Sequence, residues 1–155
     1  MVYKIKFENI LNNIRDSKDS FGISNINEYS KSLGLNFEIG ENGPFTKLSF
    51  KDYLVGNPLI PALHGGVIAG LLENASLFHL LWTNEISYLP RLTHISFEFL
   101  STCKTEDTFA SCRINRKGKN IVNMSARAWQ KNKLDKVIAT SNCSYLVKHK
   151  EETKI

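Results

Sequence analysis

Cysteine is scarce in this chain: three residues (Cys103, Cys112 and Cys143), an odd number with no CxxC pair. That argues against a disulfide framework and a zinc knuckle, and it fits a reducing compartment. No HExxH motif or Cys/His cluster occurs, so a metal site is not expected. There is no internal repeat and no low-complexity tract. The N-terminal segment MVYKIKFENI lacks the continuous apolar core of a signal peptide. The longest apolar stretch, Val67 to Trp82, is about four residues short of a typical membrane span. It also contains Glu73 and His79, which would be costly in lipid. These absences lead us to expect a cytoplasmic protein with no membrane partner.

What is present is ordinary for a single folded unit. The chain has 155 residues, 42% hydrophobic and 23% charged, enough to bury a core unaided. The formal charge of +5 is unevenly placed. Residues 1–100 carry 8 basic and 10 acidic side chains, whereas residues 101–155 carry 12 basic and 5 acidic. The positive charge therefore belongs to the last third, which points to an anionic partner.

Residues 4–16 place Ile5, Ile10, Leu11 and Ile14 near one helical face. Residues 17–24 read as a loop, and Asn25 or Asn27 is suited to cap a short helix ending near Gly34. Leu35, Phe37 and Ile39 alternate with polar residues, so 35–40 and 45–50 read as a hairpin around GENGP. Residues 51–66 read as a loop containing Pro58 and Pro61. The stretch 67–82 is apolar on nearly every face, which requires a buried helix. Four strands follow, near 92–101, 107–116, 120–131 and 136–147, with short connections that predict an antiparallel meander. The expected class is α+β: a long central helix wrapped by an antiparallel sheet of roughly six strands, with short N-terminal helices.

The chemistry concentrates in residues 57–76, NPLIPALHGGVIAGLLENAS. Gly65 and Gly66 stand where a loop meets the buried helix. Free N–H groups at a helix start attract negative charge, and glycine lets a ligand approach the backbone. That combination suits a carbonyl oxygen or an oxyanion. Glu73 is the only carboxylate in the buried helix, so it needs partners or a raised pKa, and such a carboxyl serves as a general base or nucleophile. Gly65 and Glu73 are about 12 Å apart along the helix axis. One helix cannot bring both to one substrate. Two antiparallel copies related by a two-fold axis would, which predicts a homodimer with two shared sites.

The segment HGGVIAGLLENAS resembles the hot-dog-fold acyl-CoA thioesterases of the phenylacetate-pathway (PaaI-like) family, which carry HGG followed by an acid nine residues after the histidine. His64, Gly65, Gly66 and Glu73 match that spacing. The phrases LTHISFEFLS and CRINRKGKNIVNMSARAWQ resemble the third strand and the following hairpin of that family. The resemblance implies a hot-dog domain over 35–150 behind an N-terminal helical extension over 1–34. It also implies hydrolysis of a CoA thioester to free acid and CoA. In that reading the Gly65 N–H polarises the thioester carbonyl, and Glu73 of the other chain activates water or attacks directly. Asn57 resembles the loop amide of the family, seven residues before His64 where six is usual. Some relatives carry Ser or Thr four residues after the acid to position water; here that position is Leu77, with Ser76 one earlier and Thr93 a further candidate. No metal or redox cofactor is implied, coenzyme A being part of the substrate. A homotetramer, as a dimer of dimers, is compatible.

Each assignment has a plainer alternative. Glu73 would be a buried carboxylate satisfied by backbone or Asn74. Gly65 and Gly66 would serve only the geometry of the helix start, and His64 suits a structural hydrogen bond as well as catalysis. His79 is about 240° round the helix from Glu73, which suits a core or interface histidine. Arg116, Lys117 and Lys119 surround Gly118 in a turn between strands, either a solvated hairpin or a landing site for CoA phosphates. Phe97, Phe99, Phe109 and Trp129 mostly alternate as strand residues do, which core packing explains better than base stacking, so no nucleic-acid partner is expected. The competing function is a non-catalytic binder of acyl-CoA or acyl-carrier protein.

Overall fold

The computed structural model describes residues 9, 11–14, 16–17, 19–83, 86, 88–131 and 136–148. Ile5 and Ile10 of the first expected helix lie outside these residues. Residues 11–14 are helical, and Leu11 and Ile14 are buried. The segment read as a loop contains a short helix α1, Ser20–Ser24, capped by the Asp19 carboxylate accepting from the Gly22 N–H. One turn of helix has no repeat from which periodicity can be read, so only its cap signals it. Helix α2, Glu28–Leu33, is capped by Asn27 and ends at Gly34, whose φ of 71° is left-handed. That is the conformation glycine adopts without steric cost.

Strands β1 (Leu35–Gly40) and β2 (Gly43–Leu48) form the expected hairpin. A 3-10 turn, Asp52–Leu54, leads to a two-stranded pair, β3 (Val55–Asn57) and β4 (Ala62–Leu63). Helix α3 then runs from Gly65 to Thr83, starting two residues before the apolar run. The remaining strands are β5 (Arg91–Phe99), β6 (Thr108–Lys117), β7 (Ile121–Gln130) and β8 (Val137–Leu146).

The main sheet is antiparallel in the order β1-β2-β6-β7-β8-β5. The expected meander holds only for β6-β7-β8. Strand β5 crosses to the far edge and pairs with β8, while β6 pairs with β2. Alternation along a strand identifies its two faces but not its neighbour, which is why the sequence misses this crossover.

Helix α3 packs on one face of the sheet. Ile68, Leu71, Leu72, Phe78, Leu80 and Leu81 are no more than 1% exposed. Each such side chain contributes about 1.5–3 kcal/mol of apolar burial. Phe78 and Trp82 meet Phe37 of β1 with ring centroids 6.1 and 5.6 Å apart. The N-terminal helices cover part of the outer helix face. Asn27 donates from its side-chain amide to Asn74 Oδ1 at 3.2 Å, and Tyr29 and Leu33 close over Gly70. One stripe of α3 remains incompletely covered: Gly66, Ala69, Glu73 and Leu77, spaced as one helical face.

Candidate functional site

The start of α3 is built from three pieces. The His64 N–H donates to Leu54 O at 2.9 Å, and the Leu63 N–H donates to Cys103 O at 3.0 Å. These bonds hold the glycines between the 3-10 turn and the 100–107 loop. His64 caps the helix: its Nδ1 accepts from the Gly66 N–H at 2.9 Å, and its carbonyl accepts from Val67 and Ile68. A Cβ on Gly66 would lie 3.0 Å from that Nδ1, so this glycine makes room for the cap. The Gly65 N–H has no acceptor among the described residues, and a Cβ there would meet only Phe99, at 3.7 Å. A cavity of about 170 Å³ opens beside Gly65, lined by Ile68, Phe99, Thr102, Cys103, Ile138 and Ala139 among others. An unengaged donor at a helix start thus belongs to a residue that lines this hollow.

Glu73 is half-buried, and its carboxylate has no hydrogen bond or ion pair among the described residues. Burial alone pushes its pKa above the ordinary carboxylate value. Asn74 does not serve it, because that amide donates to Gly70 O and accepts from Asn27. Only the Glu73 backbone carbonyl is engaged, by the Tyr145 hydroxyl at 3.1 Å. Ser76 is fully buried and donates to Leu72 O. It is therefore not poised to orient a water at Glu73. Leu77 lies on the Glu73 stripe with no polar group, and Thr93 donates to Ser144 O from strand β5.

Asn57 ends β3 in an exposed loop. Its Oδ1 accepts from the Leu59 N–H at 3.0 Å, an Asx turn that shapes the Pro58–Pro61 segment. Leu59 and Ile60 in that loop are 90% and 62% exposed. His79 is half-buried, burial lowers its pKa, and its Nδ1 has no partner among the described residues.

Arg116, Lys117 and Lys119 are exposed at the β6–β7 turn, where the Gly118 N–H donates to Ile121 O. The register locates them. Lys117 pairs with Val122, which pairs with Tyr145, whereas the Gly65 cavity is lined by Ala139. Six residues along β8 separate those rows, about 20 Å. Within one chain the basic turn lies at the Tyr145 end of the sheet, away from the Gly65 cavity. The structure thus brings His64, Gly65 and Gly66 together, pairs Asn57 with Ala62 of the Gly65 cavity, and keeps Glu73 and the basic turn apart from Gly65 within one chain.

Two features escape sequence reading. Strand β5 is an open edge with no buried residue along it, although its Phe97 and Phe99 rings stack at 6.4 Å. Gln130 ties the 100–107 loop beside the Gly65 cavity: its amide donates to Lys104 O and Thr108 Oγ1, and its oxygen accepts from the Lys104 N–H.

Comparison with known proteins agrees with this architecture. A sequence model of the acyl-CoA thioesterase N-terminal domain matches residues 57–146. No curated protein matches the sequence. Among solved structures, a protein from Chromobacterium violaceum is 28% identical, with a TM-score of 0.73 over 91% of this chain and 98% of that one. The PaaI protein of the Escherichia coli phenylacetic acid degradation operon is 14% identical, with a TM-score of 0.66 over 94% and 99%. A Bacillus halodurans protein solved with CoA is 19% identical, with a TM-score of 0.61 over 72% and 70%. The fold is the hot-dog fold, a long helix on a six-stranded antiparallel sheet.

Proposed function

The chain belongs to the acyl-CoA thioesterase N-terminal domain family, and from that premise we propose that it hydrolyses an acyl-CoA thioester to a free acid and CoA at a site shared by two subunits. One observation carries this reading: an unpartnered, half-buried Glu73 and an unengaged Gly65 N–H occur on one helix, too far apart to serve one substrate. Pairing two chains through their open β5 edges would join the sheets and set the helices antiparallel. Further pairing into a dimer of dimers is compatible. A fold neighbour solved with CoA supports the ligand class.

In this mechanism the thioester oxygen sits at the Gly65 N–H, and the acyl group enters the adjoining cavity. Glu73 of the partner subunit takes a proton from water, and the hydroxide adds to the carbonyl carbon. The tetrahedral oxyanion forms at the Gly65 N–H and collapses, and the CoA sulfur leaves with the proton held by Glu73. Direct attack by Glu73 through an anhydride is the variant route. Burial makes Glu73 a stronger base than an exposed carboxylate. Gly66 and His64 hold the helix start, Asn57 shapes the loop at the cavity mouth, and Arg116, Lys117, Gly118 and Lys119 receive CoA phosphates. That turn shares the Tyr145 end of the sheet, so the anchor comes from the chain that supplies Glu73. This chemistry uses no metal or redox cofactor. The three free cysteines fit a cytoplasmic setting.

The test is thiol release from a panel of acyl-CoAs. Glu73→Gln should lower turnover by about 10²–10⁴-fold with the fold intact. Wild-type turnover in that variant would overturn the assignment. The engaged Asn57 Oδ1 and the apolar Leu77 favour a second reading, an acyl-CoA or acyl-carrier binder without turnover. That reading predicts saturable acyl-CoA binding with no thiol release from the wild-type protein.

A further inference from the structure

Where the tip of the β1–β2 hairpin parts from β6, two cavities of about 730 and 600 Å³ adjoin, sharing Asn42, Pro44, Ser111 and Arg127, and His79 of α3 reaches the larger one. Their walls differ in chemistry. One half has an aromatic floor, where Phe109 lies between Phe45 and Trp129 with centroids 6.1 Å apart in each pair. The other half carries Arg113 and Arg127 among the hydroxyls of Ser111 and Thr140.

The register makes the two arginines diagonal cross-strand neighbours, since Arg127 pairs with Ser111 and Arg113 with Ser125. Two exposed cations at that diagonal spacing leave room for an anion between them. Among the described residues no carboxylate lies there. Arg113 donates to Ser125 Oγ, and Arg127 has no hydrogen bond or ion pair. Glu98 accepts from Thr140, and Glu41 stands at the aromatic end without pairing to either arginine. Among the described residues, one polar atom of a residue lining the cationic half is also buried and unpartnered, His79 Nδ1.

We propose that this groove binds a phosphorylated aromatic ligand of the mononucleotide class, with its base against Phe45, Phe109 and Trp129 and its phosphate held by Arg113 and Arg127. Guanidinium forks match phosphate oxygens, and two of them with adjacent hydroxyls offer more donors than one carboxylate can use. The aromatic floor accepts a flat ring of any base identity. Arg127 lines both halves, so it stands where phosphate and base would join. The groove and the Gly65 cavity share no lining residue, so this site stands apart from the proposed hydrolysis.

Calorimetric titration of the intact protein with AMP, adenosine and inorganic phosphate tests the assignment. AMP should bind at least about tenfold more tightly than either fragment. Arg127→Met and Arg113→Met should each weaken AMP by about tenfold or more with circular dichroism unchanged. A combined Arg116→Ala, Lys117→Ala, Lys119→Ala variant should leave AMP affinity unaltered, which separates this groove from a CoA-phosphate anchor. No AMP binding at millimolar concentration overturns the proposal. So does AMP binding that is no tighter than phosphate, that both folded arginine variants retain, or that only the hairpin variant loses.

Discussion

Glu73 is costly where it stands: burial raises its pKa, and among the described residues no partner offsets the loss of hydration. The sign of the pH effect follows. Its folded pKa lies above its unfolded value, so the cost is absent when the carboxyl is protonated in both states. It grows as pH rises through the folded pKa. Glu73→Gln should therefore raise the melting temperature at pH 8, with the gain vanishing near pH 3. A melting temperature lower than wild type at pH 8 would mean that Glu73 has a stabilising partner. At Gly65, a side chain is sterically tolerable, and only the N–H is distinctive. Proline is accepted at a first helical position and removes that donor alone. Gly65→Pro should keep the thermal transition within a few degrees and lower kcat by about 10²–10³-fold, measured by thiol release. At this scale the sequence was informative. HGG and an acid eight residues beyond its first glycine are visible as letters, as is the awkwardness of an acid in an apolar helix. The letters do not tell that Asn74 turns to Gly70 and Asn27 instead of Glu73, because that depends on where α2 docks.

Two short connections position α3. Gly56 of β3 lies against the helix start, and a Cβ there would fall 2.7 Å from His64 Cα, which is backbone and cannot yield cheaply. Gly56→Ala should cost about 1–3 kcal/mol in denaturant unfolding and lower kcat/KM by displacing the Gly65 N–H. Gln130 holds the loop that lines the Gly65 cavity. Gln130→Leu leaves the Lys104 N–H and Thr108 hydroxyl without that partner, costing about 1–3 kcal/mol. Its acyl-chain preference should shift in the same CoA panel. Elements with strong periodicity were legible: α3, the β1–β2 hairpin and the last three strands begin and end within about two residues of expectation. The one-turn helix α1 and the three-residue β3 were not, because they are too short to carry a period.

At the scale of the whole molecule, the open β5 edge and the separated Glu73 and Gly65 make one joint prediction. Glu73→Gln and Gly65→Pro homodimers should each be inactive. Mixed and re-equilibrated, they should recover about a quarter of wild-type turnover, since half of the dimers then contain one intact site of two. No recovery, with subunit exchange verified by sedimentation, would sink the shared-site arrangement. Ser96 lies mid-way along β5 and is exposed. Ser96→Lys would bring like charges together across a two-fold edge and should shift the protein towards monomer with parallel loss of activity.

The sequence alone determined the α+β class, the buried helix and the pairing of a glycine pair with an acid on that helix. These rest on local periodicity and on the price of burying a charge, both readable along the chain. The position of β5 at the far edge and the cationic groove were decided only by tertiary structure. Each depends on which strands become neighbours, a contest settled by long-range packing and hydrogen bonding. The scarcity of cysteine likewise reads more fully in three dimensions. Cys103 and Cys143 are buried, and burial raises all three thiol pKa values, Cys112 to about 12, which disfavours the nucleophilic thiolate at each.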